Sequence, residues 1–326
     1  MVQLTRAQRS EQNVRFEVLL EDGATVEAVL YRENSLCISC QVGCAVGCPF
    51  CASGAFGLTR PLSFEELTGQ VEAVLAEGAQ LKKVTLSGVG EPLHNRHLLP
   101  FLDWCRERRL APSLTTSGGP LERLVEAIHA PHNGLTVSVH AGDEATRARA
   151  VPRGPALDPL FETLAQEVPR LSRTRQKKIA LAYLMIAGLN DSDDELDAFA
   201  ARAAPLGRWV HLYAYNSVPT SDLAPVGRAR YDEAYSQLTA AGLRVRMSCQ
   251  ARVEDNGGCG TLVALRRVDT PGSDVLRSAG GPTSGATASG ATASGATASE
   301  DPPSEDPPSE APVPGGPVPG DPCRTT

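Results

Sequence analysis

Residues 37–51 read CISCQVGCAVGCPFC and hold five of the nine cysteines of the chain. No apolar core calls for thiols at that density, so whatever folds around this segment must hold a metal or carry out thiol chemistry. A disulfide framework is the other use of clustered cysteines, and it belongs to oxidising compartments. The first residues, MVQLTRAQRSEQNVRF, are charged and polar where a secretory signal would be apolar. The longest apolar stretch, LAYLMIAGL (181–189), is too short to cross a bilayer. The expectation is a cytoplasmic protein without a membrane segment, whose clustered cysteines bind metal or do redox work.

Two ligand sets fit the spacing. Cys37-x-x-Cys40 with Cys48-x-x-Cys51 would make a structural zinc site, but the two pairs lie closer together than in the usual zinc ribbon, and Cys44 is left idle. Cys44-x3-Cys48-x2-Cys51 would instead hold a [4Fe–4S] cluster with three thiolates, leaving one iron without a protein ligand. Such an iron can be chelated by a small molecule bearing an amine and a carboxylate, and S-adenosylmethionine bears both. C-x3-C-x2-C is the more specific signal, and here it does not stand alone.

The surrounding sequence predicts an α/β fold. VRFEVLL (14–20) and ATVEAVLY (24–31), joined at Asp22-Gly23, read as a β-hairpin within an amino-terminal segment, 1–34. A core over 35–268 follows. Ser63-Phe64-Glu65-Glu66 is a capping box opening a helix with Leu67, Val71, Val74 and Leu75 on one face. Strand-like runs at 35–42, 83–88, 113–117, 135–140, 179–186, 209–215 and 243–248 alternate with helical patterns such as LLPFLDWCRERRL, PLERLVEAIHA, DELDAFAARAA and YDEAYSQLTAAG. Strands separated by helices imply parallel βα units. Some six units suit an open or partial βα barrel as well as a doubly wound sheet.

Residues 269–326 form a low-complexity tail with repeated GATAS and DPPSE units, lacking the large apolar groups that offset ordering entropy, and disorder is expected there. Of the net charge of −7, the part from residue 271 carries −5, seven acidic side chains against two basic ones. The near-neutral remainder neither favours nor excludes a nucleic-acid partner.

Short polar and glycine-bearing clusters sit at the carboxyl ends of the predicted strands: SGVGEPLHN (87–95), TTSG (115–118), VSVHA (137–141) and YNSVP (215–219). That is the rim where βα barrels assemble their sites. Taken singly, Gly88 and Gly90 could be turn glycines and His140 a core histidine. Their joint placement points to function.

These motifs, with CISCQVGCAVGCPFCASG and the late GGCGTL, resemble in order the RlmN/Cfr family of radical-SAM RNA (adenine) methyltransferases over roughly residues 24–265. The resemblance implies a (βα)6 partial TIM-type barrel with the cluster on Cys44, Cys48 and Cys51. It implies S-adenosylmethionine contacts from Gly90, Glu91, Thr115, Ser117, Ser138, Val139, His140 and Asn216. It further implies that Cys259, between Gly258 and Gly260, accepts a methyl group from one S-adenosylmethionine. A 5′-deoxyadenosyl radical from a second would then activate that methyl for addition to carbon 2 or carbon 8 of adenine. Glu27 would take the proton from the substituted carbon, and Cys37 would release the product through a transient disulfide with Cys259. The implied partners are a ribosomal or transfer RNA and a one-electron reductant such as flavodoxin or ferredoxin, acting on a monomer.

This chain departs from the family pattern in its short segment ahead of Glu27 and in an acidic tail where a basic extension is usual. The remaining basic runs are RERR (106–109) and RTRQKK (173–178). Cys40 has no assigned task, and Cys105 and Cys249 are expected to pack in the core. The same chemistry on a substrate other than RNA, and a zinc-stabilised binding protein without catalysis, are the competing readings.

Overall fold

Alternation of apolar and polar residues along the strands decides which face of the sheet meets the helices. The computed structural model describes residues 2–249, 251 and 260–263. Cys259 and the whole low-complexity tail lie outside them. Strands β1 (Gln3–Arg9), β2 (Asn13–Leu19), β3 (Thr25–Tyr31) and β4 (Ser35–Ile38) lead to a small pair, β5 (Gln41–Gly43) and β6 (Leu58–Pro61). Then come α1 (Phe64–Ala76), β7 (Lys83–Leu86), α2 (Leu98–Glu107), β8 (Ala111–Thr116), α3 (Leu121–His129) and β9 (Gly134–Ser138). Three helices, α4 (Glu144–Ala150), α5 (Leu157–Glu167) and α6 (Arg173–Gln176), precede β10 (Ile179–Met185). The order closes with α7 (Asp193–Ala203), β11 (Trp209–Ala214), α8 (Arg228–Ala240) and β12 (Arg244–Met247).

Among the described residues, ten strands form one sheet in the order β1-β2-β3-β4-β7-β8-β9-β10-β11-β12, with β5 and β6 paired separately. The strands from β1 to β4 pair antiparallel, and every pairing from β4 to β12 is parallel. The expected partial barrel is thus a mixed sheet: the predicted hairpin, β2–β3, is stitched directly to the parallel strands through β4. Among the described residues no helix is long and apolar enough to cross a membrane.

One face carries Val84, Leu86, Leu114, Leu135, Val137, Leu181 and Leu212, all buried in the main core with Phe101, Leu124, Leu160, Phe199 and Leu238 of the helices. Residues directly opposite in register share a face, so the other face can be followed from strand to strand. Val29 faces Cys37, and Cys37 faces Thr85. Thr85 faces Ser113, and Thr115 faces Thr136. Ser138 and His211 both face Ala182. The face turned from the helices is therefore small and polar, and it carries Glu27, Cys37, Thr115 and Ser138.

The capping box forms as expected: Ser63 Oγ accepts from Glu66 N at 3.2 Å, and Glu66 Oε2 accepts from Ser63 N at 2.8 Å. Leu67, Val71 and Val74 of α1 are buried, whereas Leu75 is 39% exposed and leaves the predicted face. The run 35–42 is not one strand. Gln70 receives the N–H of Ser39 and donates to its carbonyl, both at 3.0 Å, while the N–H groups of Cys40 and Gln41 go to Val89 O. These bonds turn the chain out of the large sheet before it reaches the cysteine loop. Strand β1 was not predicted because QLTRAQR is a polar, largely exposed edge.

Candidate active site

The five clustered cysteines separate into different surroundings. Cys40 is part of the main core, and Cys37 packs with Val29, Val89 and Leu262. Cys44, Cys48 and Cys51 gather instead in a satellite cluster with Val46, Phe50, Val151, Leu184, Ile186 and Tyr215. Among the described residues no three His, Cys, Asp or Glu side chains converge on a single-ion position. A tetrahedral zinc site needs four ligand atoms around one point, so the Cys37/Cys40/Cys48/Cys51 set does not form. A cubane cluster takes each thiolate on a separate iron and does not need that convergence. Burial pushes the Cys44 thiol up to about 12, and it raises Cys48 well above the usual thiol range. Thiols in such an apolar setting are neutral unless a cation holds them as thiolates.

Beside this loop, Gly90 adopts φ +110°, and a Cβ on it would lie 2.7 Å from Gln41 Cβ and 2.9 Å from Gln41 N, so only glycine fits. Gln41 Oε1 accepts from Glu91 N at 2.8 Å. The buried Glu91 carboxylate accepts from Thr116 Oγ1 (2.5 Å), Ser117 N (2.7 Å) and Leu93 N (3.1 Å), which ties the ends of β7 and β8 together. Thr115 points to the opposite face of β8 from Thr116 and stays half-buried. Asn95 Nδ2 donates to the carbonyls of Cys40 and Leu62 at 2.8 and 2.9 Å, anchoring the base of the cysteine loop.

Across the rim, Arg147 of α4 is only 2% exposed. Its guanidinium donates to four carbonyls: Ser138 and Val139 (both 2.7 Å), Ser117 (2.7 Å) and Pro155 (3.1 Å). Burial lowers it to about 10, and the neighbouring Cys48, Glu144 and Glu91 oppose that fall. His140 has φ +56°, and its Nδ1 accepts from Leu184 N at 2.9 Å. Burial, reinforced by Arg147, lowers His140 to about 3, so the ring is neutral. Its carbonyl accepts from Asn190, and the edge of its ring contacts Phe50 with centroids 5.4 Å apart. His140 is thus a satisfied core histidine that also shapes the rim. Asn216 lies two residues past the end of β11 and is half-buried.

Glu27 and Glu17 face each other across β2 and β3, and their neighbours distinguish them. Glu17 accepts from Thr5 Oγ1 at 2.7 Å on the exposed side. Glu27 is gripped by Arg15 through two bonds of 2.9 and 2.5 Å, and it accepts from Val263 N at 2.7 Å. Arg15 also donates to Thr261 O at 2.9 Å. The same short segment meets the cysteine loop: Gly260 O accepts from Ala52 N at 2.8 Å, and Leu262 O accepts from Ser53 Oγ at 2.8 Å. Gly260 has φ +82°, and a Cβ there would lie 3.3 Å from Phe50 O. Leu262 packs on Cys37, whose Sγ is 3.2 Å from Ser87 Oγ. Glu27, Cys37, the Cys51 loop and the residues following Cys259 are therefore neighbours.

The family model "Radical SAM superfamily" matches residues 38–203. A protein named "Probable RNA methyltransferase" from Methylibium petroleiphilum is 34% identical over 263 residues, 77% of this chain and 72% of its own length. The chain belongs to the RlmN/Cfr family of radical-SAM RNA methyltransferases. A "Dual-specificity RNA methyltransferase RlmN" from Sorangium cellulosum is 35% identical over 70% of this chain and 61% of its own. The crystal structure of a radical SAM methyltransferase from Sphaerobacter thermophilus superposes with a TM-score of 0.69 at 25% identity, covering 80% of this chain and 81% of that one.

Membership in a radical-SAM family implies a [4Fe–4S] cluster and S-adenosylmethionine, and the rim fits both. Three cysteines share one apolar nest, with the Arg147 cation beside Cys48 to offset thiolate charge. Ser117 Oγ, Gln41 Nε2 and Tyr215 Oη are buried there without a hydrogen-bond partner among the described residues. Orphaned polar atoms of this kind await a polar ligand.

In this RlmN/Cfr-type site, sequence reasoning missed Arg147, Thr116, Asn95 and Gln41. Asn95 and Thr116 lie inside the quoted motifs, so closer attention to buried amides and hydroxyls could have found them. Arg147 carried no such signal, since EATRARA reads as a solvated helix.

Proposed function

We propose that this enzyme methylates carbon 2 or carbon 8 of an adenine in RNA by way of a methyl group carried on Cys259. The observation that carries the reading is the meeting of Glu27, Cys37 and the Cys51 loop with residues 260–263, which follow Cys259 in the chain. Bound together, the cluster and S-adenosylmethionine supply the methyl group and the one-electron chemistry that an electron-poor aromatic carbon requires.

The chain's own residues do the rest. Cys44, Cys48 and Cys51 are the three protein ligands of the cluster. Gly90, Glu91, Thr115, Ser117, Ser138, Val139, His140 and Asn216 surround S-adenosylmethionine. Glu91 acts there chiefly by fixing the β7 and β8 ends, because its oxygens already hold Thr116, Ser117 and Leu93. Cys259 acts as a thiolate when it accepts the methyl group. Once the methylene joins adenine, the adduct must lose one electron, which the cluster would accept, and Glu27 takes the proton from the substituted carbon, releasing Val263 N–H or one arm of Arg15 to do so. Cys37, as thiolate, then attacks the Cys259 sulfur and breaks its bond to the methylene carbon, which takes up a proton to become the methyl group of the departing product. The Cys37–Cys259 disulfide is reduced in a reducing cytoplasm. A flavodoxin- or ferredoxin-type protein supplies single electrons to the monomer.

The test is expression in cells lacking their own family member, with digestion of total RNA for mass spectrometry. New 2- or 8-methyladenosine is expected. An intact cluster without any new methyladenosine sinks RNA as the substrate. Cys37→Ala should accumulate an RNA–protein adduct through Cys259, and continued methylation without adduct overturns the relay.

A further inference from the structure

The geometry points to the last two parallel strands as an RNA-gripping strip that leads to the catalytic rim. Trp209 lies at the start of β11, and the guanidinium carbons of Arg246 and Arg244 on β12 sit 4.1 and 5.5 Å from its ring centroid. Arg208 adjoins Trp209 in the chain. Burial, followed by the nearby Arg244 charge, lowers Arg208 from its ordinary value, so like charges crowd here. None of the ion pairs formed by the described residues involves Arg208, Arg244 or Arg246. Arg244 is exposed, and Arg246 and Trp209 are half-buried.

Register places this group on the polar face of the sheet. Trp209 faces Arg244 and His211 faces Arg246, while Val210 and Leu212 enter the core on the other side. Trp209, His211 and Tyr213 therefore repeat along one face at intervals of about 6.6 Å. Their neighbours on β10 are Ala180 and Ala182, small residues that leave the rings standing proud. The series ends on the site itself, because Tyr213 packs against the satellite cluster that holds Cys44, Cys48 and Cys51.

Aromatic rings interleaved with arginines suit a single polyanionic strand: guanidinium groups neutralise phosphates, and planar groups stack on bases. A ring-pinned arginine also loses less freedom on binding than a free one. The occupant is the RNA strand flanking the target adenine. This rests on the RNA-methyltransferase reading. An acidic reductant protein is the rival occupant; the aromatic series favours RNA, since bases stack and a protein surface has less use for a ladder of rings.

The test uses anaerobically reconstituted holoenzyme and fluorescein-labelled transfer RNA from cells lacking a family member. Arg244→Glu with Arg246→Glu is expected to weaken binding about tenfold or more and to lower the salt slope by about two phosphate contacts. Iron content and cleavage of S-adenosylmethionine without RNA should stay unchanged. Trp209→Ala should weaken binding several-fold, with Trp209→Phe restoring most of it. Arg228→Glu, a reversal on the exposed face of α8, serves as the control and should do neither. Unchanged RNA affinity and salt slope in the double variant overturn the strip, as does an equal loss in the control. Unchanged RNA affinity with slowed cluster reduction by flavodoxin assigns the surface to the reductant instead. Wild-type holoenzyme that binds no RNA removes the substrate reading along with the strip.

Discussion

The two ends of the parallel sheet use arginine in contrasting ways. At the carboxyl ends Arg147 is sealed from solvent, and its guanidinium bonds four main-chain carbonyls of the rim loops. At the amino ends Arg175 also donates to carbonyls, those of Ile128 and Ala130 at the close of α3, but from a part-buried position. The donor chemistry is the same and the solvent is not. A desolvated guanidinium fixes the spacing of three loops, because each carbonyl it leaves would be stranded. A solvated one caps a helix whose carbonyls could turn to water instead. The carboxyl end is therefore costly and specific, and the amino end cheap and tolerant.

The largest expected effect lies at the costly end. Cys44→Ala, Cys48→Ala or Cys51→Ala should each abolish methylation and deplete iron in anaerobically purified protein. Cys40→Ala, buried in the main core away from the satellite cluster, should keep its iron and its colour. Iron analysis and visible absorption check both, and iron loss in Cys40→Ala would erase the division between the two groups of cysteines.

Next comes Arg147→Met, which takes the guanidinium donor from four carbonyls, two of them, Ser117 and Val139, in buried bonds. A loss of ~3–5 kcal/mol is expected in urea unfolding of the apoprotein, following the cost of stranded buried polar groups. Arg147→Lys, with fewer donors but a retained charge, should fall between the two and recover part of the iron. A loss under ~1 kcal/mol, as for an exposed group, would mean that the buried arrangement is not what holds the rim.

Much of this was legible from residue types, and the failures follow a pattern. The Ser63–Glu66 capping box, the parallel strands and the Cys44/Cys48/Cys51 grouping depend on local spacing, which a sequence displays directly. Glu27 could not be told from Glu17, because the two face each other in register and differ only in what covers them. What covers Glu27 arrives from residue 263, far along the chain. Arg147 escaped for the same reason: its acceptors come from loops after β8 and β9 and from the turn at Pro155, and no local pattern marks a buried arginine. The break in the 35–42 run escaped as well, since Gln70, a helix residue, causes it. Long-range polar contacts, not apolar periodicity, separate the site from the scaffold.

A smaller effect, in pH, comes from the amino end. His132 is buried, and its ring nitrogens reach no partner of hydrogen-bond geometry among the described residues. Burial, with Arg175 and Lys178 adding to it, lowers its pKa from 6.5 to about 4. The unfolded chain binds a proton near 6.5 and the folded chain does not until about 4. Stability from this group is thus full above the higher value and is lost as pH falls through the lower one. His132→Gln should reduce the acid sensitivity of urea unfolding, by on the order of 2–3 kcal/mol at the acid end of that window. Parallel pH curves for wild type and variant would mean that the folded histidine titrates normally. His140 gives the same sign at the other end of the sheet, so residual acid sensitivity is expected in the variant.

The smallest effect closes the comparison. Arg175→Ala removes a donor from the carbonyls of Ile128 and Ala130 at the end of α3, although Ala130 O keeps the N–H of His132 at 2.9 Å. Those carbonyls lie where water can replace the guanidinium, so the loss should be ~1 kcal/mol, with the favourable charge at a helix carboxyl terminus included. Arg175→Lys should keep the charge and recover about half. Urea midpoints measure both, alongside Arg147→Met under the same conditions. A ratio near one between the Arg147 and Arg175 losses would show that desolvation does not separate the two ends. A ratio of about three or more is what sealed against solvated carbonyls require.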